Sequence, residues 1–502
     1  MTDWLTTILI ALPFAGALLV WGLPFNRFWA GSIALLVSLA EVGLWINVLV
    51  DFDFGEHGLQ YEQQVTWLSD LDISYHVGFY GFSLWLTGLT VVVMAAAVAY
   101  AFWVGRERAR TYFGLMLFLT GAIVAVFTAQ DLLLFYAAFE AMLIPLYVLV
   151  GVWGGGGRLG ATIKFVIYTI AGSLLMLVAI IAYGLSEGTF DLVDAGTSGS
   201  SWIFLGFVAA FAVKAPLFPF HGWMPDAYRE SSPEVAAVLS GIVSKAAVYG
   251  FLRIAIAKFP EPAQDFQIPI LVLASIGLVY GSLLAFRAPD LRGVIAYSSL
   301  AQMSLIALGL FALNDPGFDG AILQSVGHGL VSATLFLLAG GIERRSSTGE
   351  LALLGGMARG RPALATVLMT TGIVALAVPG SATFAGEFLI LAGVFREGWL
   401  WAVIGAGSIV LAAMYMLRLV SAALHVRRGS AVSDAALDLR PAELAILVPL
   451  VSCLLALSAW PGAISDRAFP DGGSANSVND RLAAARETAD GWTAYGPLED
   501  DR

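Results

Sequence analysis

DLLLFYAAFEAMLIPLYVLVG, residues 131–151, is an apolar run long enough, as a helix, to cross the roughly 30 Å hydrocarbon core of a bilayer. One ionisable residue, Glu140, sits near its middle. A charge at that depth costs about 2.5–3.5 kcal/mol on insertion scales, so it faces protein or a wet cavity instead of lipid. Three further runs repeat the pattern: AFAVKAPLFPF (210–220) with Lys214, VLSGIVSKAAVYGF (238–251) with Lys245, and ALAVPGSATFAGEF (375–388) with Glu387. The chain has four lysines in all, and two belong to this set. Such a series reads as a proton or ion path through a membrane.

Composition agrees. Only 13% of the 502 residues are charged, against about 25% in soluble proteins. The expected fold is an all-α polytopic membrane protein of fourteen spans: about 4–23, 28–50, 79–104, 112–129, 131–152, 163–186, 201–221, 233–257, 269–289, 294–312, 319–340, 363–392, 399–422 and 443–463. The N-terminus carries Asp3 and no basic residue before its apolar run, so it reads as a first permanent span and not a cleaved signal. Arginine separates the loops into two sets. One carries Arg27, Arg106, Arg108, Arg110, Arg158, Arg229, Arg292, Arg344, Arg345, Arg359, Arg361, Arg427, Arg428 and Arg440. The other holds little beyond Lys258 and Arg396, and its long member, 51–78, has six acidic residues and no Lys or Arg. The positive-inside rule then puts the arginine loops in the cytoplasm and both termini outside. Loop 51–78, with Tyr61, Val65, Trp67 and Ile73 among polar residues, predicts a small external hairpin.

Two spans are interrupted. Pro216 and Pro219 follow Lys214, and Pro379 and Gly380 precede Glu387. Broken helices in corresponding places point to an inverted-repeat transporter and to its site. The expected organisation is 1–104 for spans one to three, 105–257 for a first repeat of spans four to eight, 258–422 for an inverted second repeat of spans nine to thirteen, 423–463 for span fourteen, and 464–502 for a polar external tail.

His328, in LQSVGHGLVS (323–332), is a candidate fifth station. A lone helical histidine is more often a satisfied core group, but its flanking glycines and its place along the chain between Lys245 and Glu387 argue for a relay. Glu140 and Lys214 form a candidate coupled pair, since a nearby carboxylate keeps a buried ammonium charged. His221, Asp226, Asp290 and Arg292, at span ends, read as caps and loop anchors. Gly155, Gly157 and Gly160 spell GxGxxG, but in a short loop with no preceding strand, which is no dinucleotide site. No lysine follows a glycine, so there is no P-loop, and Cys453 stands alone, which excludes an iron–sulfur cluster built from this chain. No metal or cofactor is expected in this chain, and nothing in it addresses nucleic acid.

FYAAFEAMLIPLYVLVGVWGG (135–155), AFAVKAPLFPFHGWMPDA (210–227), LRGVIAYSSLAQMSLIALG (291–309) and VPGSATFAGEF (378–388) resemble the antiporter-like subunits of proton-translocating NADH–quinone oxidoreductase, respiratory complex I. The resemblance covers roughly residues 80–445. It is closest to the M branch (chain 4), because the L and N branches place a lysine where this chain has Glu387, and the long lateral helix of the L branch has no counterpart expected here.

The resemblance implies fourteen spans with inverted repeats and proton-translocating roles for Glu140, Lys214, Lys245, His328 and Glu387. It implies L and N antiporter-like neighbours in a bacterial plasma membrane, and NAD, FMN, iron–sulfur clusters and quinone in partner subunits. Two departures stand out. Gln302 replaces a histidine of many relatives, so a relay here leans on His328 and water, and DAYRESSPEV (226–235) departs from the commoner loop. The competing readings are a subunit of a multisubunit cation/proton antiporter, a structural membrane anchor and a membrane-bound hydrogenase module.

Overall fold

The computed structural model describes residues 4–469 except 57, 426 and 434. Beyond residue 469, the expected tail lies outside the described residues. Twelve helices are long and apolar enough to cross a membrane: Leu5–Gly22, Arg27–Asp51, Gly81–Val104, Ala109–Thr128, Leu132–Trp153, Arg158–Glu187, Pro233–Ile256, Gln267–Arg287, Leu291–Leu310, Asp315–Ser346, Trp399–Leu424 and Pro441–Ala459. Two shorter apolar helices, Ser201–Lys214 and Pro362–Ala375, fall at the interrupted spans seven and twelve. Counted with them, the described residues hold the fourteen spans expected, numbered below in chain order.

Proline sets both breaks. Span seven stops at Lys214, passes Pro216 and Pro219, and resumes as a short 3-10 turn at Phe220–Trp223. Span twelve stops at Ala375 and restarts at Ala382–Glu397, with Ala377 and Gly380 in left-handed backbone between them. Span eight departs from the sequence expectation. It is a plain helix only over Pro233–Val238 and Lys245–Gly250, with wider π turns at Leu239–Val243 and Phe251–Ile256. Spans eight and eleven are wholly buried, spans four and ten nearly so, and spans two, thirteen and fourteen form much of the outer surface.

Spans eight and eleven meet at two glycines. A Cβ on Gly329 would lie 2.7 Å from the carbonyl oxygen of Gly241, and one on Gly241 3.0 Å from that of Gly329. Small residues let the backbones touch. At the arginine-bearing helix ends, Arg106 makes two hydrogen bonds to the buried Glu234 (2.6 and 2.7 Å), which also accepts from Tyr112. Arg292 pairs with Glu343 and Arg345 with Glu443, fastening spans ten to eleven and eleven to fourteen.

The expected hairpin is present. β1 (Gln60–Leu68) pairs antiparallel with β2 (Ile73–Phe79), Val65 opposite Tyr75. His76, 1% exposed, pins it down, with Nδ1 2.5 Å from Asp191 Oδ2 and Nε2 2.8 Å from Glu62 Oε1. Asp131 caps span five through the Leu133 and Leu134 amides and accepts from Ser74 N at 3.1 Å. Burial disfavours the His76 imidazolium, but Asp191 and Glu62 outweigh it and hold its pKa above the ordinary 6.5. Burial pushes Asp191 up, while His76 and the Val193 amide outweigh that and hold it below the usual 3.8.

The clasp is therefore strongest between the lowered Asp191 pKa and the raised His76 pKa, and it weakens as pH rises through the latter. Hydrogen exchange of the hairpin amides, corrected for intrinsic rates, should accelerate by roughly fivefold across that upper limit, since charge-assisted bonds become neutral at a cost of about 1 kcal/mol. In His76→Gln the corrected rate should not vary with pH.

Candidate functional site: a buried polar chain

The π turn of span eight places Lys245 at the centre of the bundle, 0% exposed. Its Nζ donates to the Ser240 carbonyl (2.8 Å) and to Ser244 Oγ (3.3 Å), while Ser244 Oγ donates to the same carbonyl (3.0 Å). Ser240 Oγ lies 2.5 Å from Ser332 Oγ of span eleven and 2.8 Å from Ser299 Oγ of span ten. The Gly241–Gly329 contact allows this reach.

Ser332 is one helical turn beyond His328, and both line a cavity of about 20 Å³ with Gln302, Gln324, Thr383 and Tyr415. That is room for about one water molecule. The far wall leads to Glu387. Gln302 Nε2 donates to Glu387 Oε1 at 3.0 Å, Gln324 Nε2 donates to the same oxygen at 3.4 Å, and Gln324 Nε2 also donates to Gln302 Oε1 at 2.6 Å. Three buried polar atoms of this group have no hydrogen-bond partner among the described residues: His328 Nε2, Gln324 Oε1 and Glu387 Oε2. Gly386 permits the approach of span twelve, because a Cβ there would sit 2.7 Å from Gln324 Oε1.

Lys245 and Glu387 thus stand at the two ends of one polar chain of four serines and two glutamines, with His328 on the wall of the cavity between them. Glu140 and Lys214 stand apart from it. Lys214 ends the first part of span seven, buried, with Nζ 4.6 Å from the centre of the Phe139 ring. Among the described residues no ion pair within 4.0 Å joins it to the adjacent, half-buried Glu140. They are neighbours without direct contact. Asp226 pairs with Lys164 (2.8 Å), Asp290 caps span ten at the Gly293 amide and pairs with Arg229 (3.0 Å), and the glycine loop is held by Glu230.

Sequence reading missed Gln324, the serines and Glu41. Glu41 is fully buried in span two with neither carboxylate oxygen hydrogen-bonded. A single acid inside SLAEVGLW (38–45) was the signal.

Residues 129–412 match the family described as NADH:quinone oxidoreductase/Mrp antiporter, transmembrane. The chain belongs to that family. Subunit M of NADH-quinone oxidoreductase from Rhodobacter capsulatus is 34% identical over 463 residues, which cover 89% of each protein. A chain of respiratory complex I from Thermus thermophilus with bound NADH superposes with a TM-score of 0.86 at 29% identity, over 96% of this chain and 99% of that one. A chain of the Mrp complex from Dietzia sp. DQ12-45-1b gives 0.85 over 97% and 99%, and at 19% identity it shows the shared fold alone. This is an antiporter-like, multi-pass membrane subunit of complex I, of the M type.

Gln324→Leu removes two donors and leaves Gln302 Oε1 and Glu387 less satisfied, which should cost about 1–3 kcal/mol. The solubilised complex should show a lowered subunit melting transition, with the helix content unchanged by circular dichroism.

Proposed function

We propose that this subunit translocates protons, through Glu140, Lys214, Lys245, His328 and Glu387, driven by quinone reduction elsewhere in the complex. The observation that carries the proposal is the polar chain from Lys245 to Glu387, whose members keep unused hydrogen-bonding positions in a buried setting. On this reading Lys245 holds a proton against the Ser240 carbonyl. His328 Nε2 and the small cavity pass it on by way of ordered water. Gln302 and Gln324 orient that water and the Glu387 carboxylate but take no proton themselves. Glu387 Oε2, the free oxygen, accepts and releases it.

Glu140 is the sensing member. A change at the neighbouring subunit shifts its carboxylate relative to Lys214 and so alters how readily Lys214 holds its proton. Against about 100 mV each charge needs about 2.3 kcal/mol, equivalent to a combined shift of about two pKa units along the path. The chain has no redox centre on this reading; NAD, FMN, iron–sulfur clusters and quinone belong to partner subunits, with L and N subunits as neighbours. It places the arginine loops in the cytoplasm of a bacterium and the hairpin and termini outside the plasma membrane. Spans four to eight and nine to thirteen then act as inverted units around the chain.

NADH-driven, quinone-linked proton uptake by membrane vesicles tests this, with assembly of the complex quantified in parallel. Lys214→Ala and Glu387→Gln should each assemble and reduce pumping by about tenfold or more, the scale of losing a positioned proton-transfer group. Undiminished pumping in assembled Glu387→Gln removes it from the path, and failed assembly of both variants favours the anchor reading.

A further inference from the structure

A second feature is an apolar cleft that shares span eleven with the polar chain. Trp45 of span two, Trp85 and Gly88 of span three, Val326 and Leu330 of span eleven and Cys453 of span fourteen line a cleft of about 180 Å³ with apolar walls. Spans two and fourteen are among the most outward-facing, so the cleft lies beside the outer surface of the helix bundle. At about 180 Å³ it is smaller than the roughly 300–1,000 Å³ of typical cofactor pockets.

Among the described residues, two polar groups beside it lack an acceptor or a carboxylate partner. Trp85 is 9% exposed, yet its indole N–H meets no acceptor, whereas that of Trp45 donates to the Leu84 carbonyl at 2.9 Å. Arg467 lies 4.7 Å from the ring centre of Trp460 and 5.1 Å from that of Phe54. It forms no ion pair among the described residues. The two features are continuous: Phe54 stacks on Trp85 (6.2 Å), and Ile464, one turn before Arg467, also borders the cleft. An aromatic-framed cation over an apolar slot, at the membrane level where Trp and Tyr collect, is complementary to one class of molecule.

We propose that this cleft binds a phospholipid with an anionic headgroup, one acyl chain lying between spans two, three, eleven and fourteen. The phosphate pairs with Arg467, and an ester carbonyl accepts from the Trp85 indole. The site is independent of the proton-path reading.

The intact complex in phosphatidylcholine nanodiscs tests it. The discs carry a small, equal fraction of either phosphatidylglycerol or phosphatidylcholine bearing a diazirine on the acyl chain. After irradiation, adducts are mapped by peptide mass spectrometry. The phosphatidylglycerol probe should label residues 85–92 or 453–457 about fivefold more than the phosphatidylcholine probe, the discrimination expected of one interfacial arginine. Arg467→Gln should abolish that preference while the complex stays assembled. Equal labelling by both probes, or a preference that survives Arg467→Gln, overturns the headgroup assignment. Labelling by neither overturns the site, and means that protein, residues 470–502 included, fills the cleft.

Discussion

An ammonium group in the middle of a membrane protein has to be solvated by the protein, and Lys245 imposes that demand on everything around it. An unpaired charge moved from water to a low-dielectric interior costs several kcal/mol even after relaxation. Here the replacement solvent is the Ser240 carbonyl and the Ser244 hydroxyl. An ordinary α-helix has its carbonyls committed to its own ladder; the π turn at Leu239–Val243 loosens that commitment and presents the Ser240 carbonyl to the side chain. The glycine contact between spans eight and eleven then follows as a need, because Ser332 of span eleven reaches Ser240 only if the backbones touch. Complete burial of those two spans is the outer consequence.

Lys214 meets the same demand differently. It offers its charge to the face of Phe139, an interaction worth about 2 kcal/mol or more when desolvated, and keeps Glu140 beside it without contact. A direct ion pair in this position would be a strong, static element. Separation leaves the charge balance open to a small movement of span five, whose helix is irregular at Met142, two residues past Glu140. The proline break after Lys214 similarly frees that end of span seven from a continuous ladder.

What the sequence discloses and what it hides divide along physical lines. Span count, the two breaks and the hairpin between spans two and three were legible because hydrocarbon permits few backbone solutions and proline marks the exceptions. Lys214, Lys245 and Glu387 were legible because charge in an apolar run is conspicuous. Gln324 was not, since an amide in a helix looks the same whether it faces a carboxylate or a neighbouring turn. The serines were hidden for a related reason: a helical serine usually bonds its own i−4 carbonyl, as Ser244 does, and only the fold reveals that Ser240 and Ser332 bond each other. Glu41 was visible as a lone acid and was passed over. That Glu140 and Lys214 are adjacent but unpaired is a matter of distances that spacing along two separate helices does not encode.

The degree to which buried polar groups are satisfied separates the fasteners at the helix ends from the polar chain around Glu387. Glu234 receives two bonds from Arg106 and one from Tyr112, and Glu443 is held by Arg345 through both oxygens, so these groups have little left to give and act as fasteners. They sit where spans meet at the arginine-bearing ends, and removing one partner would strand the other in a poor solvent. Glu387, His328 and Gln324 are equally buried but each retains an unpaired atom, clustered around or beside one cavity. A protein that needed only a rigid membrane anchor would gain by saturating such atoms or replacing them with apolar groups of the same shape. Keeping them open costs stability, as it does at Glu41 of span two, and around this cavity it leaves hydrogen-bonding positions unfilled.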